Sequence, residues 1–342
     1  MSLPASDDFL PVNAVTPYAD IAPDPASGWA ASLHLDFQVD ARDQTVLRRR
    51  EHSGPLRIQR TFHPEGAVCH AYLLHPPGGV VGGDRLDIQV TVGAGAQALI
   101  TTPAAGKFYR SAGARASQTQ TIDVAPGGCC EWLPGMNILH GGARVDMRQR
   151  FRVAASSRLL AWDVVGLGRP GSGDGFSDGD ADISSRFELF GVPEWIDRWR
   201  VRGGSAMTTQ PWGMQRHDYS GTLLAWPATS ADLEELRAQQ PTGGAVVFSG
   251  TLLPVQASLV GSFPGESRST EPRSTEPQST EPRSAVSRSA ESRSVGSAAG
   301  LLVGRWLASD GEALGWRMRE AWSQLRPRVV GLPACPPRVW ST

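Results

Sequence analysis

Arg144-Val145-Asp146-Met147-Arg148-Gln149-Arg150-Phe151-Arg152-Val153 sets Val145, Met147, Phe151 and Val153 against Arg144, Asp146, Arg148, Arg150 and Arg152. Side chains alternate across a strand, so this period of two reads as a strand with one face in a core and one in water. The same period runs through Leu86, Ile88, Val90 and Val92 against Asp87, Gln89 and Thr91. It recurs where Gln118, Gln120, Ile122 and Val124 share a face opposite Thr119, Thr121 and Asp123. Similar runs lie at 56–62, 67–75, 96–102, 158–166, 183–190 and 245–255, most of them separated by Gly or Pro clusters. Strands at this spacing, without helices between them, predict an all-β chain: a sandwich, a barrel or a β-helix.

Two helices are expected. One lies near 231–239, where Thr229 and Asp232 have capping-box spacing. The other spans about 310–326, opened by Ser309 and Glu312 and stopped by Pro327. Leu314, Met318, Ala321, Trp322 and Leu325 fall on one stripe of it. Residues 1–27 are rich in Pro, Ala and Asp without periodicity and read as a loose tail, with the globular part beginning near Trp29. Residues 264–299 repeat Ser-Thr-Glu-Pro and then Ser-Arg, with almost no large apolar group, and read as a disordered low-complexity insertion.

A net charge of −1 provides no global field for nucleic acid or an anionic membrane. No apolar run reaches the length of a membrane span. The N-terminal residues lack the basic-then-apolar pattern of a secretory leader, which makes the cytoplasm the expected compartment. Four cysteines without CxxC spacing exclude a zinc ribbon and argue against a disulfide framework. Lys107 is the only lysine among 33 basic residues.

Motif chemistry is sparse. Gly166-Leu167-Gly168-Arg169-Pro170-Gly171 matches GxGxxG literally, but Pro170 and the glycines beyond it give no helix N-terminus for a pyrophosphate. Gly106-Lys107 lacks the rest of a P-loop. Asp174, Asp178, Asp180 and Asp182 read as an acidic surface loop, because Ile183 stands where an EF-hand needs Gly. None of the seven histidines has HxH or HExxH spacing, and His70 points away from both His75 and Cys69 on a strand. A metal-dependent hydrolase and a generic interaction domain stay open at this point.

Two segments are dense in special residues. His75-Pro76-Pro77-Gly78-Gly79-Val80-Val81-Gly82-Gly83-Asp84 specifies a particular backbone, and Asp84 is placed to cap, ligate or brace it. Thr101 to Ser111 sets Lys107 beside Phe108, Tyr109 and Arg110, which fits a polar interface loop better than a catalytic lysine.

With Gln59-Arg60-Thr61-Phe62-His63-Pro64-Glu65-Gly66, Cys69-His70 and Tyr72-Leu73-Leu74, these segments resemble the UreD (UreH) family of urease accessory proteins. Glu131-Trp132-Leu133-Pro134, Trp162-Asp163, Leu167-Gly168-Arg169-Pro170, Leu325-Arg326-Pro327 and Pro337-Arg338-Val339-Trp340 continue the resemblance in order, over about 28–260 and 300–342. The resemblance implies a β-helix-like stack of strands with two short α-helices, the last near the C-terminus. It implies a non-enzymatic chaperone that works with UreF and the GTPase UreG on apo-urease, with UreE as the indirect nickel donor. No tightly bound cofactor is implied, only nickel(II) in transit along an internal passage. Candidate carboxylates for that passage are Asp84, Glu131, Asp163 and Asp174. Gly78, Gly79, Gly82, Gly83, Lys107, Tyr109, Arg110, Trp322, Arg338 and Trp340 are the candidate structural and interface residues, with the C-terminal helix and tail toward UreF. Two departures stand out: Gly135 and Met136 replace a polar pair of the family, and Asp174 replaces a Glu.

Overall fold

The computed structural model describes residues 28–240, 246–255 and 299–341. The expected tail at 1–27 lies outside the described residues, as does all but the last residue of the expected insertion at 264–299.

The alternating segments are strands, and they wind. β1 (Ala30–Val39) forms a hairpin with β2 (Thr45–Ser53), and β3 (Arg57–Ile58) leads into β4 (Cys69–Leu74). From there the chain passes repeatedly between a back sheet, a narrow third side and a front sheet. β4 is in the back sheet and β5 (Arg85–Val92) in the front. The next coil runs β6 (Gln97–Thr101), β7 (Gly106–Phe108) and β8 (Ala116–Val124). A third follows as β9 (Cys129–Leu133), β10 (Asn137–Leu139) and β11 (Arg144–Val153). The last is β12 (Arg158–Arg169), a short β13 (Asp174–Gly175) and β14 (Asp180–Leu189). Parallel pairing puts Ala98 beside Cys69, Cys130 beside Ala98 and Leu159 beside Cys130, so a coil consumes about 30 residues. The crossover that a parallel pair needs is here a strand of the opposite sheet rather than a helix. This is a β-solenoid, in agreement with the all-β expectation.

Antiparallel elements close it. β15 (Val192–Arg202) pairs with β14 at the front edge. After one helical turn, α1 (Ala206–Thr209), the back sheet is extended by β16 (Tyr219–Ala228). Beyond α2 (Ser230–Ala238), β17 (Val246–Pro254) and β18 (Gly300–Ala308) complete it in the order β16-β18-β17. α3 (Gly311–Val329) lies across the outside of this sheet. Two cores result. Phe37, Val90, Trp132, Phe151 and Phe187 fill the space between the sheets. Leu160, Leu223, Leu314, Met318 and Trp322 fill the space under α3.

The capping box of α2 forms as expected. α3 differs at both ends. Asp310, not Ser309, caps it, accepting the Ala313 N–H at 2.8 Å, and the helix runs past Pro327 to Val329. Pro327 removes a single hydrogen bond in the last turn, and that turn is held by buried Arg326 and Val329. α1 is a third helix that no periodicity announced. The acidic loop is corrected as well: Asp180 and Asp182 open β14 and pair with Arg200 and Arg198 of β15. Gly166–Arg169 finishes a strand, so no nucleotide-binding helix follows it.

Candidate functional site

The Gly-rich loop between β4 and β5, the turn before β7 and the turn before β10 meet at one mouth on the third side. They surround a cavity of about 610 Å³ that reaches between the two sheets. Leu73, Val80, Phe108 and Trp132 form its walls, Lys107 and Gly135 stand on its lining, and Gln118, Gln120 and Asn137 supply its polar groups.

Glycine is required at this mouth. A Cβ on Gly79 would stand 2.0 Å from the Tyr109 ring, and Gly83 has φ +94°. Tyr109, 40 % exposed, is clamped between Gly79 and His140, with ring centroids 5.0 Å apart on the His140 side. Gly79→Val is expected to expel Tyr109, lower stability by about 1–3 kcal/mol and uncover His140. Thermal melts together with the His140 ring NMR signals check this. Gly78 lines the cavity, and Gly82 packs against Ser111. Arg110 is exposed and its stem lies by Gly142.

The four candidate carboxylates lie in different places. Asp84 braces the Gly-rich turn, accepting the Trp29 N–H at 2.8 Å and the Val81 N–H at 2.9 Å. Asp174 lies against His140, whose Nδ1 is 2.6 Å from its Oδ2, and accepts the Gly141 N–H. Partial burial would raise the Asp174 carboxyl, but the His140 and Gly141 hydrogen bonds more than offset it and hold it below the usual value. Glu131 faces away from the interior, toward α3. Its carboxylate accepts the Trp322 Nε1–H at 2.7 Å and the Arg326 guanidinium at 2.9 Å. Arg326 is fully buried and also donates to Glu65 at 2.6 and 2.7 Å, while His70 donates to Glu65 at 2.6 Å. Trp340 lies on Trp162 and meets Trp322 edge-on, and Arg338 begins the single turn that carries it there. The sequence blocks at 65–70, 131–134, 325–327 and 337–340 therefore converge on one buried anchor for the C-terminus.

Asp163 alone of the four faces the interior. Its Oδ1 is sealed from solvent and has no hydrogen-bond partner. Burial pushes its carboxyl up to about 6, against the pull of the Asn137 amide and the Val164 N–H. Around it the core turns polar. The Gln149 amide donates to Gln120 Oε1 at 2.8 Å, and Ser185 reaches Gln149 at 3.4 Å. Gln118, Gln120, Gln149, Asp163 and Ser185 line a constriction behind the large cavity. Beyond it Asp163, Gln149, Ser185 and Thr222 share a void of about 10 Å³, room for one water. Trp132 Nε1, on the cavity wall, is likewise buried without a partner. Buried polar groups without partners are rare and call for an explanation. Asp163 Oδ1 lies on the narrow polar lane and Trp132 Nε1 on the wall of the cavity before it. The pairing of Gln118 and Gln120 with Ile122 and Val124 was legible in the sequence; their lining of a lane was not.

Of the two departures, Gly135 lies on the cavity lining, where its N–H donates to Thr102. Met136 turns its sulfur toward Gly166 instead. Among the described residues no group of three His, Cys, Asp or Glu side chains is placed to hold a metal ion. Burial pushes the Cys69 and Cys129 thiols up to about 11 and about 12, so neither is a thiolate ligand at neutral pH. Among the described residues no helix is long and apolar enough to cross a membrane.

The profile of the UreD urease accessory protein family matches residues 30–341. The urease accessory protein UreD of Alkalilimnicola ehrlichii is 42% identical over 334 residues, covering 96% of this chain and 98% of that protein. The proteins of the same name from Pseudomonas putida and Citrobacter koseri are 37% and 38% identical, each over 92% of this chain and over 95% and 92% of their own lengths. A match that runs from β1 to the last turn includes the cavity mouth, the polar lane and the C-terminal anchor, and the chain belongs to the UreD family of urease accessory proteins.

Proposed function

We propose that this chain is a scaffold for urease maturation, without turnover of its own, through whose interior nickel(II) passes on its way to apo-urease. The polar lane at Asp163 carries this reading: a buried carboxylate oxygen without a partner, on a constriction that shares Gln118 and Gln120 with the cavity of about 610 Å³. Nickel(II) accepts oxygen ligands, and isolated weak sites let an ion leave as readily as it enters. Asp163 is the carboxylate on the path. Asp84 and Asp174 shape the mouth, and Glu131 anchors the C-terminus. UreF and the GTPase UreG are the proposed partners, acting in the cytoplasm with GTP chemistry confined to UreG and with UreE as the indirect donor. Trp322, Arg338 and Trp340 belong to the anchored end whose outer surface is offered to UreF.

The test is urease activation in cells that carry the urease structural genes and the other accessory genes, with and without this chain. Activity and urease-bound nickel that appear only with the chain support the reading. Equal activity without it sinks it. Within the active system Asp163→Ala is expected to lower urease-bound nickel about tenfold, and unchanged nickel would remove Asp163 from the path.

A further inference from the structure

The polar residues of the lane belong to two ranks that cross the interior, one on each sheet. On the front sheet Gln120 pairs in register with Gln149, Gln149 with Ser185, and Ser185 with Asp197 of the edge strand β15. On the back sheet Asp163 pairs with Thr222, Thr222 with Arg305, and Arg305 with Ser249 of the edge strand β17. Both ranks face inward, since Phe151, Phe187, Leu224 and Val303, two residues along the same strands, are core. The ranks meet where the sheets open to solvent. There Arg305 reaches Asp197 at 3.0 Å, with side chains 48% and 19% exposed. The Arg305 guanidinium also lies 5.9 Å from the Trp195 ring centre. Trp195 lines the same small void as Asp163 and Thr222.

We infer that Asp197 and Arg305 form the outlet of the lane, a cation-exchange gate at the end opposite the mouth. This rests on the transit reading above. At rest the guanidinium occupies the Asp197 carboxylate. A divalent cation leaving Asp163 past Ser185 and Thr222 displaces it. A half-exposed ion pair contributes about 0–1 kcal/mol, so displacement costs little. The Arg305 guanidinium repels cations arriving from outside. The outlet lies about 108 residues apart in sequence, and only the pairing of both sheets brings it together.

The test supplies limiting nickel chloride to the complete maturation mixture and reads the rate at which urease gains nickel and activity. Asp197→Asn is expected to slow loading about tenfold, as loss of a metal-contacting carboxylate does. Asp197→Glu should load like the parent protein. Arg305→Ala, which removes the competitor, should load at the parent rate or faster. A merely structural staple predicts the contrary, because Asp197→Asn and Arg305→Ala break the same ion pair: both would slow loading together, in step with falling melting temperatures. That outcome, or an Asp197→Asn protein that loads at the parent rate, overturns the gate. Thr222→Trp plugs the lane upstream, and Ser185→Leu replaces it if that variant does not fold. Undiminished loading with the lane plugged defeats the transit reading itself. A blocked lane together with an unaffected Asp197→Asn defeats only the gate.

Discussion

Arg326→Ala is expected to lower stability by about 3–5 kcal/mol and to release the C-terminal helix from the solenoid. The fully buried guanidinium makes short hydrogen bonds to both Glu65 and Glu131 and also donates to the Pro333 carbonyl. Burial alone would lower its pKa, yet the two carboxylates raise it above the ordinary arginine value. Burial likewise works against ionisation of Glu65, and His70 and Arg326 reverse that and bring its pKa below normal. Removal of the one cation leaves two carboxylates facing each other in a dry site. Desolvation and mutual repulsion then act together. Urea denaturation of the variant checks the magnitude, and near-ultraviolet circular dichroism of the Trp162, Trp322 and Trp340 cluster checks the release. Trp322→Phe, which deletes one hydrogen bond to Glu131, should cost only about 1.5–3 kcal/mol. The combination of Glu65→Gln, Glu131→Gln and Arg326→Met should recover most of the loss, since uncharged groups need no counter-ion there. An Arg326→Ala protein as stable as the parent would show that the charge network contributes nothing.

Asp163→Asn is expected to make the protein more stable and less competent. The folded carboxyl titrates near 6, above its unfolded value of 3.8. For an acid raised in this way the folded state holds the extra proton between those two values. Its stabilising effect is therefore complete below about pH 4 and is lost as pH rises through about 6. At pH 7 the parent protein bears the cost of a charged, partly unpaired carboxylate, up to about 3 kcal/mol. The amide avoids this cost, so the variant should melt higher at pH 7 and the difference should vanish at pH 4. Melting temperatures of both proteins across pH 4–8 test the sign, and a pH-independent difference would refute it. In the nickel-loading assay the same variant should fall well behind. Such a pairing is the expected mark of a group retained for function against stability.

The front-sheet strands were legible because each buries one face, and the β11 segment shows this most clearly; β9 of the back sheet is buried on both faces. The winding was not legible in the alternation, which leaves sandwich, barrel and β-helix open; its signal lies in the turns. Val92 precedes Gly93-Ala94-Gly95-Ala96, Val124 precedes Ala125-Pro126-Gly127-Gly128, and Val153 precedes Ala154-Ala155-Ser156-Ser157. Each four-residue turn carries the chain from front sheet to back, and their even spacing is the coil. β1, β2, β9, β15, β16 and β18 were not read individually, nor were the short β7, β10 and β13. β15 opens with Val192-Pro193 and alternates tryptophans with arginines, so neither face resembles an ordinary core face. The family resemblance located the blocks but not their roles. Glu131 and Asp163 both sit on back-sheet strands within similar motifs. One-residue parity decides that the first faces α3 and the second faces the interior. Arg326 and Asp197 find their partners 195 and about 108 residues away, and no local pattern encodes such a pairing.

Pro254 and Gly300 are register partners at the end of the β17–β18 hairpin. Their Cα atoms are held at neighbouring-strand distance, about 5 Å, by the eight paired positions that precede them. The intervening polypeptide thus departs and returns at almost the same point, and its length is uncoupled from the geometry of everything else. β16 runs antiparallel to β12 and β18 antiparallel to β16, with Trp226 beside Leu159 and Ala228 beside Gly300, so this point lies at the tight-turn end of the back sheet, away from the cavity mouth. The hairpin is therefore a natural port for grafting a fluorescent reporter or an affinity handle. Such a graft would leave the mouth, the lane and the C-terminal anchor untouched, and maturation could be followed in living cells with a fully assembled protein.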